Sequence, residues 1–260
     1  MNALQALLLG LIQGLTEFLP ISSSGHLEIG HVLFGVKGES SLLFDVVLHG
    51  ATVLSTLVIF RKDVLELLKG LFQFKWNDET KYISKLLFSA VPVGIAGVLF
   101  EEQIESLFKG NLVLVGSALL FTALLLGFAN YARQGERKIK FLDAFIIGIA
   151  QMIAVIPGIS RSGSTIATGM ILGNNKNDLA KFSFLMVIIP ILGANFLKLV
   201  SGDLTGQADV AMLPMTVGFI AAFVSGLLAC SWMIKIVKRG KLIYFAIYCA
   251  LIGLIAIFAA

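Results

Sequence analysis

The stretch Glu17-Phe-Leu-Pro-Ile-Ser-Ser-Ser-Gly-His26 sets the strictest condition on how this chain can fold. It places a carboxylate, three hydroxyls and an imidazole between two apolar runs, residues 3–19 and 27–36. At a rise of about 1.5 Å per residue, the first run reaches roughly 25 Å and the second less, against a hydrocarbon core of about 30 Å. Neither run crosses a bilayer alone. Unmet polar atoms at membrane depth cost several kcal/mol each, so the stretch must be buried in protein or face water. Two short helices joined by a polar turn at Pro20–Gly25 satisfy this as a re-entrant hairpin. A second stretch, Pro157-Gly-Ile-Ser-Arg-Ser-Gly-Ser-Thr165, lies between short apolar runs at 142–156 and 164–173 and repeats the pattern.

The remainder of the chain supplies the membrane setting. Of 260 residues, 57% are hydrophobic and only 14% charged, where a soluble domain carries roughly 25% charged residues. The apolar runs are continuous, unlike the alternating segments of about ten residues that make a β-barrel. The expected fold is an all-α integral membrane protein. Six transmembrane helices are expected, at 42–60, 83–100, 111–131, 180–200, 212–234 and 241–259, with the two re-entrant hairpins beside them. Residues 61–82 alternate charges with Val64, Leu65, Leu67, Leu68, Leu71 and Phe72, which predicts an interfacial helix. The net charge of +4 does not indicate nucleic acid, because the cations cluster in short loops. Cys230 and Cys249 fall in predicted membrane helices and read as small apolar fillers. The opening Met-Asn-Ala-Leu lacks a positive n-region, so no cleavable signal is expected.

Loop charges orient this layout. Connections 61–85, 132–141, 173–181 and 235–241 hold six, four, two and four Lys and Arg. The alternate connections carry few, Lys37, Lys109 and Lys198, and are acidic, with Glu101, Glu102, Glu105, Asp203 and Asp209. The positive-inside rule puts the basic set in the cytoplasm and both termini outside. The first hairpin then enters from outside and the second from the cytoplasm. A shift of 138 residues supports that opposition, aligning Ala6 with Ala144, Gly10 with Gly148, Gln13 with Gln151, Ile21 with Ile159, Ser22 with Ser160, Ser24 with Ser162 and Gly25 with Gly163. The expectation is one membrane domain, 1–260, built as an inverted repeat with halves at about 1–130 and 131–260. Inverted repeats with broken helices gather their polar elements near the midplane.

Arg161 is the one cation predicted deep in the membrane and away from every loop. An Arg there costs at least about 2.5–3.5 kcal/mol on insertion scales, so it calls for an anionic partner. One reading is a buried pair with Glu17; the other is an anion clamp, because guanidinium offers phosphate a planar fork of donors. Ser160, Ser162, Gly163, Ser164 and Thr165 lead into a helix whose N-terminus attracts anions, and Ser22, Ser23, Ser24 and Gly25 do likewise from the other side. Ser-rich turns are also common helix caps. Glu17 lies four residues after Gln13, on one helical face. It reads as a neutral buried Glu, a divalent-cation ligand with the Gln13 carbonyl, or a general base. His26 could serve as general base, general acid or nucleophile in phosphoryl transfer. His31 and His49 read as structural, and Asp45 as a rim charge or cap. A transporter or flippase for an anionic or lipid substrate would need the clamp but not the reactive groups beside it.

The runs Gln13-Gly-Leu-Thr-Glu17-Phe-Leu-Pro-Ile-Ser-Ser-Ser-Gly-His26 and Pro157-Gly-Ile-Ser-Arg-Ser-Gly-Ser-Thr165 resemble the two signatures of the bacterial undecaprenyl-diphosphate phosphatase (bacitracin-resistance) family. The resemblance covers the whole chain, including the Phe182-Ser-Phe-Leu185 region. It implies a hydrolase that converts the long-chain isoprenoid diphosphate left by cell-wall polymer synthesis to the monophosphate carrier, at the outer face of the bacterial plasma (inner) membrane. It implies a divalent cation, Mg2+ or Ca2+, held by Glu17 and Gln13, although Gln at that position brings no charge. The catalytic set it implies is Glu17, Ser23, His26 and Arg161. The phosphate-binding set is Ser22, Ser24, Gly25, Ser160, Arg161, Ser162, Gly163 and Thr165. Expected partners are the lipid substrate, the membrane and a second copy in a homodimer, with no nucleic acid. Ser23, His26 and an activated water all remain open as the attacking group.

Overall fold

A computed structural model describes residues 1–36, 39–108, 110–132, 135–200, 212–239 and 241–260. Lys37, Lys109, Arg133, Asp203 and Asp209 of the charge count lie outside the described residues, as do the side chains of Lys198, Lys238 and Arg239. The described residues form helices joined by short turns: α1 (Ala3–Phe18), α2 (Ser23–Phe34), α3 (Glu39–Ile59), α4 (Arg61–Leu71), α5 (Asp78–Leu99), α6 (Glu101–Leu107), α7 (Leu112–Tyr131), α8 (Phe141–Ile153), α9 (Arg161–Ile171), α10 (Lys176–Met186), α11 (Ile188–Val200), α12 (Met212–Arg239) and α13 (Ile243–Phe258). The chain is an all-α integral membrane protein. Among the described residues, Asp78–Leu99, Leu112–Tyr131, Lys176–Phe196 and Met212–Val237 are each long and apolar enough to cross a membrane. The pair α3–α4, bent by 78° at Phe60, makes a fifth if it is counted as one span. At 16 residues, α13 is shorter than the span expected at 241–259.

Each of the two motif-bearing segments folds as a pair of packed helices around a broken turn, α1 with α2 and α8 with α9. Asn2 and Gln5 cap the start of α1 reciprocally. The helix stops at Leu19, where the following proline drives the backbone to φ −73°, ψ 146°. α2 then begins at Ser23, earlier than the apolar pattern places it, because Ser22 serves as N-cap and accepts from the Gly25 amide. Ser160 caps α9 in the same way, accepting from the Gly163 amide. The amphipathic helix expected at 61–82 is likewise shorter. It ends at Leu71, and Asn77 caps a new helix by accepting from the Thr80 amide.

Packing crosses between the two halves of the chain. α1 lies on α12, α8 on α5, and α7 on α13. The contacts are backbone-close: a Cβ on Gly10 would sit 2.4 Å from the Gly218 carbonyl oxygen, and one on Gly148 would sit 2.3 Å from that of Ser89. Gly10 and Gly148 are equivalent under the 138-residue shift. At the α7–α13 contact, Gly116 and Gly253 each face the other's carbonyl. The largest buried apolar cluster among the described residues draws on both hairpins and the helices around them, with Phe18, Leu119, Ile147, Ile166, Phe182 and Met186.

Candidate active site

The two broken turns touch. A Cβ on Gly25 would come within 2.9 Å of the Gly158 Cα, and one on Gly163 within 3.2 Å of the Pro20 Cβ. Ser162 Oγ donates to the Leu19 carbonyl across the junction at 3.0 Å. Each turn is also held by a long helix. On α7, Thr122 Oγ1 donates to the Gly158 carbonyl at 3.2 Å and accepts from the Ser160 amide at 3.0 Å. On α13, Cys249 Sγ donates to the Pro20 carbonyl at 3.6 Å. Ser22 sits at φ 68°, a left-handed conformation that costs a non-glycine residue of order 1–3 kcal/mol.

Glu17, at the end of α1, is the hub. Its Oε1 accepts from Arg161 Nη2 at 2.6 Å, a bond formed between residues 144 positions apart. Its Oε2 accepts from Ser23 Oγ at 2.6 Å and from Gln13 Nε2 at 2.9 Å. His49 Nε2, from α3, lies 3.7 Å from the same oxygen. The Glu17 side chain is only 7% exposed and that of Arg161 23%, so the charges neutralise each other out of bulk water while the guanidinium keeps an open side. A narrow cleft is lined by Glu17, Arg161, Ser162 and Thr56 and by the apolar Val53, Phe184, Val187 and Ile191.

The predicted site residues divide by what they bind. Gln13, Glu17, Ser23 and Arg161 converge, as expected. Ser22, Gly25, Ser160 and Gly163 are bonded within their own caps. Thr165 Oγ1 pairs with Ser183 Oγ at 2.6 Å. Ser24 Oγ lies 3.3 Å from Ser22 Oγ. His26 turns elsewhere, with Nδ1 2.7 Å from the Ser22 carbonyl and Nε2 2.9 Å from the Tyr248 hydroxyl. His49 stands where an imidazole was expected beside the carboxylate, although the sequence placed it outside both motifs. The signal for it would have been its place on the face of α3 that also carries Thr52, Val53 and Thr56 into the cleft. His31 Nε2 lies 3.0 Å from Asp45 Oδ1, so the two side chains are each other's partners.

Gln13 bears on the implied cation. Its amide nitrogen is spent on Glu17, while Oε1 is buried with no protein partner among the described residues. A carboxylate with an orphaned carbonyl oxygen suits a hard divalent ion that takes its other ligands from water or phosphate.

Known proteins share this arrangement of sequence. A family model described as bacitracin resistance protein BacA matches residues 6–255. The chain is 56% identical to an undecaprenyl-diphosphatase of Bacteroides fragilis, over 99% of this chain and 98% of that protein. It is 57% identical to one of Bacteroides thetaiotaomicron over the same shares. Similarity extends to one of Methanobrevibacter smithii, 38% identical over 98% of this chain and 96% of that protein.

Proposed function

The chain belongs to the bacitracin resistance protein BacA family, and on that premise we propose that the Glu17–Arg161 junction is where it hydrolyses undecaprenyl diphosphate. The activity is that of an integral membrane phosphatase, which yields undecaprenyl phosphate for renewed use in cell-wall synthesis and confers bacitracin resistance. The observation that carries the assignment of residues is the 2.6 Å contact between Arg161 and Glu17, which draws a guanidinium, a carboxylate and the Ser23 hydroxyl to one point.

Arg161 spends one donor on Glu17 and has others free for phosphate, so it holds the diphosphate and neutralises the charge that builds on the phosphoryl oxygens. Glu17 accepts the proton of the attacking oxygen, which is either Ser23 Oγ or a water held in its place. His49 adds an imidazole within reach of the same carboxylate. His26 works from the flank, where proton traffic to the product is open to it. A divalent cation would be held by Glu17 and Gln13 and would supply further charge neutralisation to the diphosphate. The apolar lining of the cleft, at Val53, Val187 and Ile191, suits the first units of the isoprenoid tail.

The inverted repeat and the orientation are part of the same reading. The reciprocal packing of α1 on α12 and α8 on α5 supports two halves of opposite sense. The contrast between Arg61, Lys62 and Lys69 on α4 and Glu101 and Glu102 on α6 supports an outward-facing site in the bacterial plasma membrane, with both termini outside. The test is hydrolysis in 18O-labelled water with a search for a phosphoenzyme in wild type, Ser23→Ala and Glu17→Gln. Phosphate release lost in Glu17→Gln supports the reading, and release at the wild-type rate in both variants overturns it. A trapped phosphoserine absent from Ser23→Ala assigns the attack to Ser23.

A further inference from the structure

His26 is gripped at both ring nitrogens. The Ser22 carbonyl, 2.7 Å from Nδ1, can only accept, so Nδ1 carries a proton. In the neutral ring, Nε2 is then the basic nitrogen. That nitrogen faces the Tyr248 hydroxyl at 2.9 Å, and the two rings stack with centroids 5.6 Å apart and planes within 8°. The contact joins residues 222 positions apart. The next residue, Cys249, reaches the Pro20 carbonyl, so one turn of α13 braces both the break before α2 and the imidazole after it.

From this geometry we propose that Tyr248 is a positioning residue for catalysis, fixing the direction of Nε2 and the ring plane in which His26 meets the substrate. The inference rests on the reading of His26 as part of the hydrolytic site. The backbone on the Nδ1 side holds one edge of the imidazole. The phenol hydroxyl sets the direction of Nε2, and the stacked ring sets the plane. When a phosphoryl oxygen or water takes the place of the hydroxyl at Nε2, the stack keeps the imidazole in register. A group held by two contacts reaches its reactive geometry more often than one held by a single contact, and orientation of this kind is worth a large factor in rate.

The experiment compares purified wild type, Tyr248→Phe, Tyr248→Ala, His26→Gln and the His26→Gln/Tyr248→Phe double variant on a detergent-solubilised prenyl diphosphate, measuring kcat and KM separately. Tyr248→Phe keeps the stack and the volume, so its thermal stability serves as the folding control. The expected result is a kcat several-fold lower in Tyr248→Phe and at least tenfold lower in Tyr248→Ala, KM within twofold of wild type, and no further loss when Tyr248→Phe is added to His26→Gln. A wild-type kcat in Tyr248→Phe and Tyr248→Ala alongside an impaired His26→Gln overturns the role of Tyr248 alone. So does a loss that appears only in KM, or one of equal size in the His26→Gln background. A wild-type rate in His26→Gln overturns both this inference and the role given to His26 in the site.

Discussion

The two broken turns share a serine cap and differ in chemistry. In the first, Ser22 Oγ takes the Gly25 amide at 3.2 Å and lies 3.3 Å from Ser24 Oγ. In the second, Ser160 Oγ takes the Gly163 amide at 3.1 Å and lies 3.4 Å from Ser162 Oγ. Under the 138-residue shift, however, Glu17 becomes Val155, Ser23 becomes Arg161, His26 becomes Ser164 and His49 becomes Val187. The repeated serines and glycines build the turn; the unrepeated residues carry the reaction. Each half contributes one sign of charge, so the site exists only where the halves meet.

The glutamines sharpen the contrast. Gln13 donates to Glu17, whereas both amide atoms of Gln151 are buried without a partner among the described residues, the side chain being 1% exposed. One position in the repeat was put to use by a neighbouring carboxylate; in the other half the position equivalent to that carboxylate is Val155, which offers none.

Variants that treat the two turns unequally test this division. The largest effect is expected from Arg161→Ala, which leaves Glu17 as an unpaired buried charge and removes the phosphate clamp; kcat/KM should fall by about 10³-fold or more in a phosphate-release assay. Glu17→Gln keeps the shape but removes the proton acceptor, with an expected loss in kcat of about 10²–10⁴-fold. Gly25→Ala pushes a methyl group against the Gly158 backbone, and overpacking of this kind costs about 1–3 kcal/mol, read as a lower melting temperature in detergent. Gln13→Leu should lower activity roughly tenfold, as loss of an orienting partner does. Gln151→Leu, its counterpart, should leave activity unchanged and hold or raise stability by about 1 kcal/mol, because it removes an unsatisfied buried amide. Equal losses from the two glutamine variants would break the comparison.

Much of this was legible in the sequence where a residue violates its setting. Pro20 and a run of hydroxyls inside an apolar stretch cannot continue a lipid-facing helix, and an intramembrane Arg161 needs an anion, which Glu17 was available to supply. Other features obey their setting and gave no signal. Tyr248 sits in an apolar run of α13 as an interfacial aromatic residue would, and only the folded chain brings it to His26. The serines of both caps carry the composition of a phosphate cradle, yet a hydroxyl used by its own helix is indistinguishable in sequence from one left free. The bend at Phe60 has no proline or glycine to announce it.

The central claim is that Glu17 and Arg161, one from each half, act as a single unit on the diphosphate. A double-mutant cycle on kcat/KM with Glu17→Gln, Arg161→Lys and the combined variant measures this directly. If the two residues form one unit, the combined variant is little worse than the poorer single variant. Losses that multiply independently would contradict it.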